Sequence, residues 1–593
     1  MVINTGSIVN AAKSAFNAAK NKISNILKSP ASVANSGPLF DSGNYFTQNY
    51  NDLTHIVDLY LDNSGDFEKP KRYFINPAAI VNLVINDAVN DWVVDGYMTI
   101  LYAPEHTEQT KTGQTQSTPT GVDAAATANG QVLKEYQFRG DGFDLLRVMI
   151  MPETKPGKSG ADVVIDKNFT KWMLSYVFSV YDVEDVQLPS NYGYINSYMK
   201  CLKLKFYDIR HHMLKTTNLE YSSAIPKDSE YVPDFNTEIA KTQGVLYTGE
   251  ILRDVLNEVL AKKENGGCEE FRIDKDPKKW DKGKSQLFYT SPAQYSAQDD
   301  IDYVISHHVS EKNMEGAPDG VEFQDMCLFH TERSPTFGKV EEIHLTPLQS
   351  FFEKAGKGTA GEAFKETFFV TAATEEGSTT DIPKTPTGGD GTNVNFQSFK
   401  YGQIMSYEFV DMSAIINAEM FRTAPVYSVD IGKREFNIEF KGHDIASMKK
   451  MFSKTYIKKL HSGIDGDEEL FLPTIHKSKK EFNIFPTFST NGNNAFVRQK
   501  NGLHQLLYTG LFQNACIRFS VYGSTLRESG TFIGIEKTTG SVDTDYSNKL
   551  FGQWFVVSVD HIFESGTYRN VIHAVKLHRF KPRKSLFDNL LAL

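Results

Sequence analysis

Three histidines, His561, His573 and His578, crowd into one stretch near the C-terminus, GQWFVVSVDHIFESGTYRNVIHAVKLHRF, from Gly552 to Phe580. Three converging imidazoles could hold a zinc ion, and a pair could move protons. The surrounding pattern decides which chemistry is open to them. Phe555, Val557, Val559, His561 and Phe563 alternate with Trp554, Val556, Ser558, Asp560 and Ile562. The run breaks at Glu564-Ser565-Gly566 and resumes with Val571, His573, Val575 and Leu577 against Ile572, Ala574 and Lys576. That is a β-hairpin with a glycine-containing turn. On this reading His561 and His573 share the apolar-rich faces of their strands, and His578 has the opposite parity to His573. The three do not converge, so the spacing predicts core or pore-facing histidines rather than ligands.

The remaining chemistry-bearing motifs fail for stated reasons. Gly-Lys-Ser occurs at Gly157 and Gly283, but the glycine a phosphate-binding loop needs five positions earlier is replaced by Pro152 and Lys278. His211-His212 and His307-His308 are adjacent pairs, and sequence neighbours point apart on a strand and sit badly on a helix. The acidic turn Gly463 to Leu470 lacks the order and the distal glutamate of a calcium loop. His443-Asp444 could orient a nucleophile, yet no serine or cysteine is identifiable as its partner. Cys201, Cys268, Cys327 and Cys516 are far apart and form no C-x-x-C pair, which predicts reduced, buried thiols. No catalytic, metal-ligating or cofactor-binding set emerges, and the expectation is a chain without catalysis.

The elements that must position these groups come from length and periodicity. A chain of 593 residues is too long for one core and implies about three or four domains. A formal net charge of -10 argues against phosphate neutralisation as the main task, because nucleic-acid binders carry a basic surplus. No apolar run reaches the length of about 18 residues that a membrane-spanning helix needs, and no signal-peptide core is expected at the N-terminus.

Residues 1–38 read as an amphipathic helical arm and linker, with Ile8, Ala12, Phe16, Ala19, Ile23 and Ile26 on one face. A tethered helix of this kind is a docking arm for a partner or a helix packed on its own protein; its Ala-rich stripe makes stable membrane insertion unexpected. A first β-domain is expected over 39–243, with a flexible, Thr/Gln/Gly/Ala-rich loop at 104–131. Residues 244–315 read as helical, with Thr248 as cap of a helix carrying Ile251, Leu252, Val255, Val259 and Leu260, and with a second helix starting at Ser296. A second β-region is expected over 316–450 with a flexible loop at 371–393, then an insertion at 451–505, closing strands at 506–581 and an apolar tail at 582–593. In that tail Leu586, Phe587, Leu590, Leu591 and Leu593 would make a poor free end in water, which marks it as an anchor.

The closing pattern resembles the last strands of the bacteriophage tail hub family, the myovirus-type baseplate hubs. There a W-x-V-x-x-V-x-H-x-F-x-x-G-x-Y-x-x-x-L run closes a tube-like barrel. Trp554, Val556, Val559, His561, Phe563, Gly566, Tyr568 and Ile572 match it in kind. SYVFSVYDVEDV followed by CLKLKFYDIRHHML is similar to the early barrel strands, and the helical stretch resembles the segment between two barrels. The resemblance spans roughly Asn44 to Phe580 and rests on pattern order.

What the resemblance implies is a mainly β fold with α (α+β). It comprises two tail-tube-like β-barrel domains, a helical insert, an N-terminal helical arm and an apolar C-terminal tail. It implies a homotrimer in which two barrels per chain imitate a six-fold tube. The implied partners are the tail tube protein, the central spike protein, the tape-measure protein and baseplate wedge proteins. DNA would pass only in transit, through a lumen whose acidity repels phosphate. Ile8, Phe16, Ile23 and Ile26, with Leu586, Phe587, Leu590 and Leu591, are the expected docking residues. Such a protein would be assembled in the host cytoplasm and reside in the virion. Two rivals stand beside this reading. One is a tail-associated cell-wall hydrolase, which lytic activity would reveal. The other is a different baseplate or secretion-device component of wedge or spike type, which stoichiometry would reveal.

Overall fold

The computed structural model describes residues that fall within 46–63, 72–103, 122–152, 174–187, 199–221, 246–261, 272–312, 327–351, 366–370, 402–411, 426–439, 486–489, 515–537 and 550–576. The expected helical arm at 1–38, the loop at 371–393, the acidic turn at 463–470, His443-Asp444, His578 and the tail at 582–593 lie outside them.

The fold is mainly β. The N-terminal half supplies β1 (Phe46–Tyr50), β2 (Leu53–Asn63), β3 (Arg72–Phe74), β4 (Ile80–Ala88), β5 (Asp95–Tyr102), β6 (Asp144–Pro152), β7 (Leu174–Val186) and β8 (Lys200–Asp208). The middle supplies β9 (Leu246–Tyr247), β10 (Arg272–Ile273), β11 (Gln286–Leu287), β12 (Cys327–Arg333) and β13 (Glu341–Pro347). The rest are β14 (Glu366–Val370), β15 (Ile404–Asp411), β16 (Val426–Asp430), β17 (Glu435–Glu439), β18 (Pro486–Ser489), β19 (Ala515–Tyr522), β20 (Phe532–Lys537), β21 (Gly552–Glu564) and β22 (Thr567–Lys576). The α-helices among the described residues are α1 (Val122–Glu135), α2 (Ile209–Thr216), α3 (Thr248–Leu256) and α4 (Ala297–Ser306).

One 14-stranded sheet dominates, in the order β1-β2-β6-β7-β8-β5-β4-β21-β22-β19-β15, with β3 on β2, β20 on β21 and β14 on β20. The two ends of the chain meet where β4 pairs antiparallel with β21, Ile85 opposite His561 and Leu83 opposite Phe563. Two apolar cores lie along this sheet. The first gathers Val57, Leu59, Leu61, Ile85, Val148, Phe178 and Phe206 from β2 and β4 to β8. The second gathers Phe368, Ile517, Phe519, Ile535, Trp554 and Val556 from β14 and β19 to β21. Each fully buried Leu, Ile or Phe contributes about 1.5–3 kcal/mol, against about 0.5–1.5 kcal/mol net for one ladder hydrogen bond, so residue for residue burial outweighs pairing.

A third core is helical. Ile251, Leu252, Val255, Val259 and Leu260, the stripe expected from periodicity, are all fully buried against Ile301 and Val304 of α4 and Ile209, Met213 and Leu214 of α2. The same cluster takes in Leu145, Val177 and Trp92, which docks the helices on the large sheet. α4 starts as its sequence predicts. The Ser296 hydroxyl accepts from the Asp299 amide at 3.2 Å, and the Asp299 carboxylate accepts from the Ser296 amide at 2.8 Å. α3 differs from the expectation: Tyr247 is its N-cap residue, and Thr248 is the first helical residue, buried with its hydroxyl 2.9 Å from His308 Nδ1.

The flexible loop expected at 104–131 is corrected at its C-terminal end, where 122–131 belongs to α1. Its alanines are strong helix formers rather than loop residues. Ala125 and Ala126 are buried with Leu101 and Val81. Asn129 completes the contact, its amide oxygen accepting from the Asn76 backbone at 2.8 Å. The low-complexity appearance hid an Ala-rich packing face.

Candidate functional site

The hairpin β21–β22 forms as the alternation predicts, but its faces are not those the plain alternation gives. A β-bulge between Val556 and Ser558 shifts the register against β22. One extra residue reverses parity. Trp554 and Val556 therefore share a face with Val559, His561 and Phe563. On β22 Tyr568, Asn570, Ile572 and Ala574 are buried on that face, and Val575 and Lys576 are also buried at the strand's end. His561 lies opposite Asn570, whereas His573 lies opposite Ser558, so the two histidines occupy opposite faces of the hairpin. The expectation that they share the apolar-rich faces is thereby corrected. His573 sits on the less buried face beside Arg518, and its imidazole is held below the usual histidine range by burial and by that guanidinium.

His561 is fully buried and belongs to a polar network sealed within the sheet. Its Nδ1 lies 2.7 Å from the Tyr568 hydroxyl and 3.0 Å from Asn570 Nδ2. The Asn570 amide oxygen accepts from the Ser524 backbone N–H at 2.7 Å and from Arg527 Nη1 at 3.0 Å. Arg527 then makes a two-pronged pair with Glu366, at 2.9 Å through Nε and 2.7 Å through Nη2. These contacts tie β14, the turn after β19, and both hairpin strands together.

Of the eight residues that carry the family resemblance, seven are fully buried on this one face of the hairpin: Trp554, Val556, Val559, His561, Phe563, Tyr568 and Ile572. The eighth, Gly566, is at the turn with φ +84°, a conformation that side-chain-bearing residues avoid. Phe563 and Tyr568 belong to the first core, and Trp554, Val556, Val559 and Ile572 to the second. One short motif thus feeds both cores.

A second polar cluster lies at the helical core. His307 and His308 diverge, as expected of neighbours. The His307 ring packs on Tyr303, and His308 is buried with its Nε2 3.5 Å from Asp281 Oδ1. The Asp281 carboxylate accepts from the Gly283 amide at 2.7 Å, the Glu311 amide at 3.0 Å and the Ser310 hydroxyl at 2.5 Å. Burial raises the Asp281 carboxyl, but His308, Ser310 and Glu311 together bring it below the usual carboxylate range. Cys327 completes the cluster: one ligand atom each from Asp281, His308 and Cys327 lie within 4.8 Å of one another. Sequence reasoning missed this grouping because its members sit on separate segments with no motif spacing. Gly283, His308 and Cys327 each drew attention separately, for other chemistries, but no spacing in the sequence joins them. Cys201 and Cys516 lie elsewhere and form no disulfide, and burial raises the pKa of both thiols.

The expected docking residues Ile8, Phe16, Ile23, Ile26, Leu586, Phe587, Leu590 and Leu591 lie outside the described residues. No helix among the described residues is long and apolar enough to cross a membrane.

No protein-family model matches the chain, and no curated protein matches it. The chain is similar to solved structures of phage tail and type VI secretion proteins. One is the 43 kDa tail protein of prophage MuSo2 from Shewanella oneidensis, at 8% identity and a TM-score of 0.37, covering 88% of this chain and 98% of that one. Another is the tail protein from Neisseria meningitidis MC58, at 6% identity and a TM-score of 0.37, covering 88% and 96%. A third is the E. coli c3393 protein, described as a type VI secretion component with structural similarity to the T4 tail proteins gp27 and gp5. It stands at 7% identity and a TM-score of 0.32, covering 85% and 76%.

Proposed function

We propose that this chain is a structural virion protein, a trimeric baseplate hub that joins a tail tube to a central spike around the DNA channel. The observation that carries the reading is the hairpin β21–β22. The residues that resemble the closing run of tail hubs line one buried face, and that face serves two apolar cores of a single sheet. The chain on this reading carries two β-units that join where β4 pairs with β21, and three chains would present six units around an axis. On this reading the first unit falls within 39–243. The second combines 316–450 with 506–581, and the helices of 244–315 lie between. The role is structural rather than catalytic. The tape-measure protein and wedge proteins are further partners, DNA passes without stable binding, and the protein resides in the tail.

The ends of the sheet path suit such an assembly. Among the described residues β15 is paired on one side only, by β19, and it exposes Met405 (46%), Tyr407 (49%) and Val410 (39%). An open strand with exposed apolar side chains favours pairing with another copy of the chain.

The test is the mass of the purified full chain in solution, with class averages from negative-stain electron microscopy. A hollow three-fold ring is the expected result. A compact monomer that cleaves cell-wall polymer would overturn the reading.

A further inference from the structure

We propose that Asp281, His308 and Cys327 bind a divalent transition-metal ion of the zinc class, and that the ion staples the helical segment to the β12–β13 sheet. One imidazole nitrogen, one carboxylate oxygen and one thiolate sulfur form a donor set suited to zinc or cobalt, not to calcium or magnesium, which prefer oxygen alone. The candidate ligand atoms already lie within 4.8 Å of one another. Around a tetrahedral zinc, donors at 2.0–2.3 Å from the ion stand roughly 3.3–3.8 Å apart, so closure needs an adjustment of about an ångström.

The supporting shell is built. The other ring nitrogen of His308 faces the Thr248 hydroxyl at 2.9 Å. In the metal-bound form Nδ1–H would donate to that oxygen, freeing the Nε2 lone pair for the ion, which is how metal-bound histidines are oriented. The carboxylate is fixed by the Gly283 and Glu311 amides and the Ser310 hydroxyl. The loop reaches His308 only because residue 283 is glycine. Its φ is +82°, and a Cβ there would stand 2.7 Å from the Thr248 hydroxyl oxygen and 2.8 Å from the imidazole Cε1. Asp281 and His308 are buried, and Cys327 is partly buried.

Four segments distant in sequence converge: the start of α3, the loop before β11, the residues after α4, and the start of β12. Asp281 is also held to β13, its amide donating to the Leu345 carbonyl at 2.8 Å. Binding would expel the Cys327 thiol proton to solvent, so affinity should rise with pH. Three protein ligands leave a fourth position for water.

The experiment uses the purified full chain, stripped with chelator and titrated with cobalt(II) chloride and then zinc chloride. The expected result is one ion per chain by elemental analysis, with a thiolate-to-cobalt charge-transfer band that zinc abolishes. Cys327→Ser should lose that band. Thr248→Val, which leaves all three ligands in place, should weaken zinc binding about 10- to 100-fold. A wild-type chain with no thiolate-to-cobalt band would overturn the proposal, as would a band that survives in a folded Cys327→Ser variant.

Discussion

His561 Nδ1 stands 2.7 Å from the Tyr568 hydroxyl across the closing hairpin. The same nitrogen lies 3.0 Å from Asn570 Nδ2. The orientation of the Asn570 amide is set by its other end, where the oxygen accepts from the Ser524 amide and from Arg527. Its NH₂ therefore donates to His561, and Nδ1 is an acceptor. A satisfied imidazole of this kind holds strands in register.

Removing members of this network should cost stability in graded amounts. Tyr568→Phe keeps the ring and deletes one hydrogen bond, for an expected loss of about 1 kcal/mol. Asn570→Ala strips partners from His561, Ser524 and Arg527 together, and the expected loss is about 3 kcal/mol. Chemical denaturation of the two variants checks the order; equal losses would show that the network does not act as a unit.

The hairpin shows what the sequence allowed and what it hid. Two alternating runs and Gly566 were enough for the strands and the turn. The faces were not, because a bulge leaves no mark in a run as uniformly apolar as Trp554 to Val557. One inserted residue reverses every side chain beyond it. The buried stripe of α3 was legible because a 3.6-residue period is redundant over several turns. α1 was not, because alanine reads as low complexity until a packing surface is known. The Asp281, His308 and Cys327 grouping depends wholly on tertiary contact, and nothing local announces it.

The face of β2 turned away from the first core carries charge. Asp58, Tyr60 and Asp62 follow one another at every second position, and all three are buried. Burial pushes the Asp58 carboxyl from 3.8 up to about 6, although Arg72 and Arg147 pull the other way. Asp62 is raised for the same reason. A raised carboxyl binds its proton more tightly folded than unfolded. Its contribution is fully present below the unfolded value and is lost as pH climbs through about 6. Asp58→Asn should therefore gain stability above pH 6, by roughly 1–2 kcal/mol, and flatten the pH profile between about 4 and 6. Thermal melts across that window check it; an unchanged profile would assign the slope to other groups.

The β15 edge offers a separable test of assembly. Tyr407 is 49% exposed and Met405 46% exposed, so charging them should leave the monomer's folding almost untouched, within about 0.5 kcal/mol. Tyr407→Glu combined with Met405→Lys should yield a folded protein that no longer forms rings. Light scattering and circular dichroism read the two properties independently. Rings that persist in the double variant would move the interface to another part of the sheet.

The terminal segments are expected to act on partners rather than on the fold. The spacing of Ile8, Phe16, Ile23 and Ile26 ahead of a Pro/Ser/Gly-containing stretch predicts an amphipathic arm, and such an arm would seat its apolar face in a partner's groove. Deleting residues 1–38 should preserve the melting temperature and weaken incorporation into tails. Removing Leu586 to Leu593 should do the same at a different contact, because those apolar residues gain from burial only when a neighbour covers them. Tail incorporation and thermal stability, measured side by side for the two truncations, separate the alternatives. A truncated chain that assembles normally removes the docking role for that segment. A large drop in melting temperature shows instead that the segment packs on its own domain, as an apolar stripe must if no partner supplies the surface it needs.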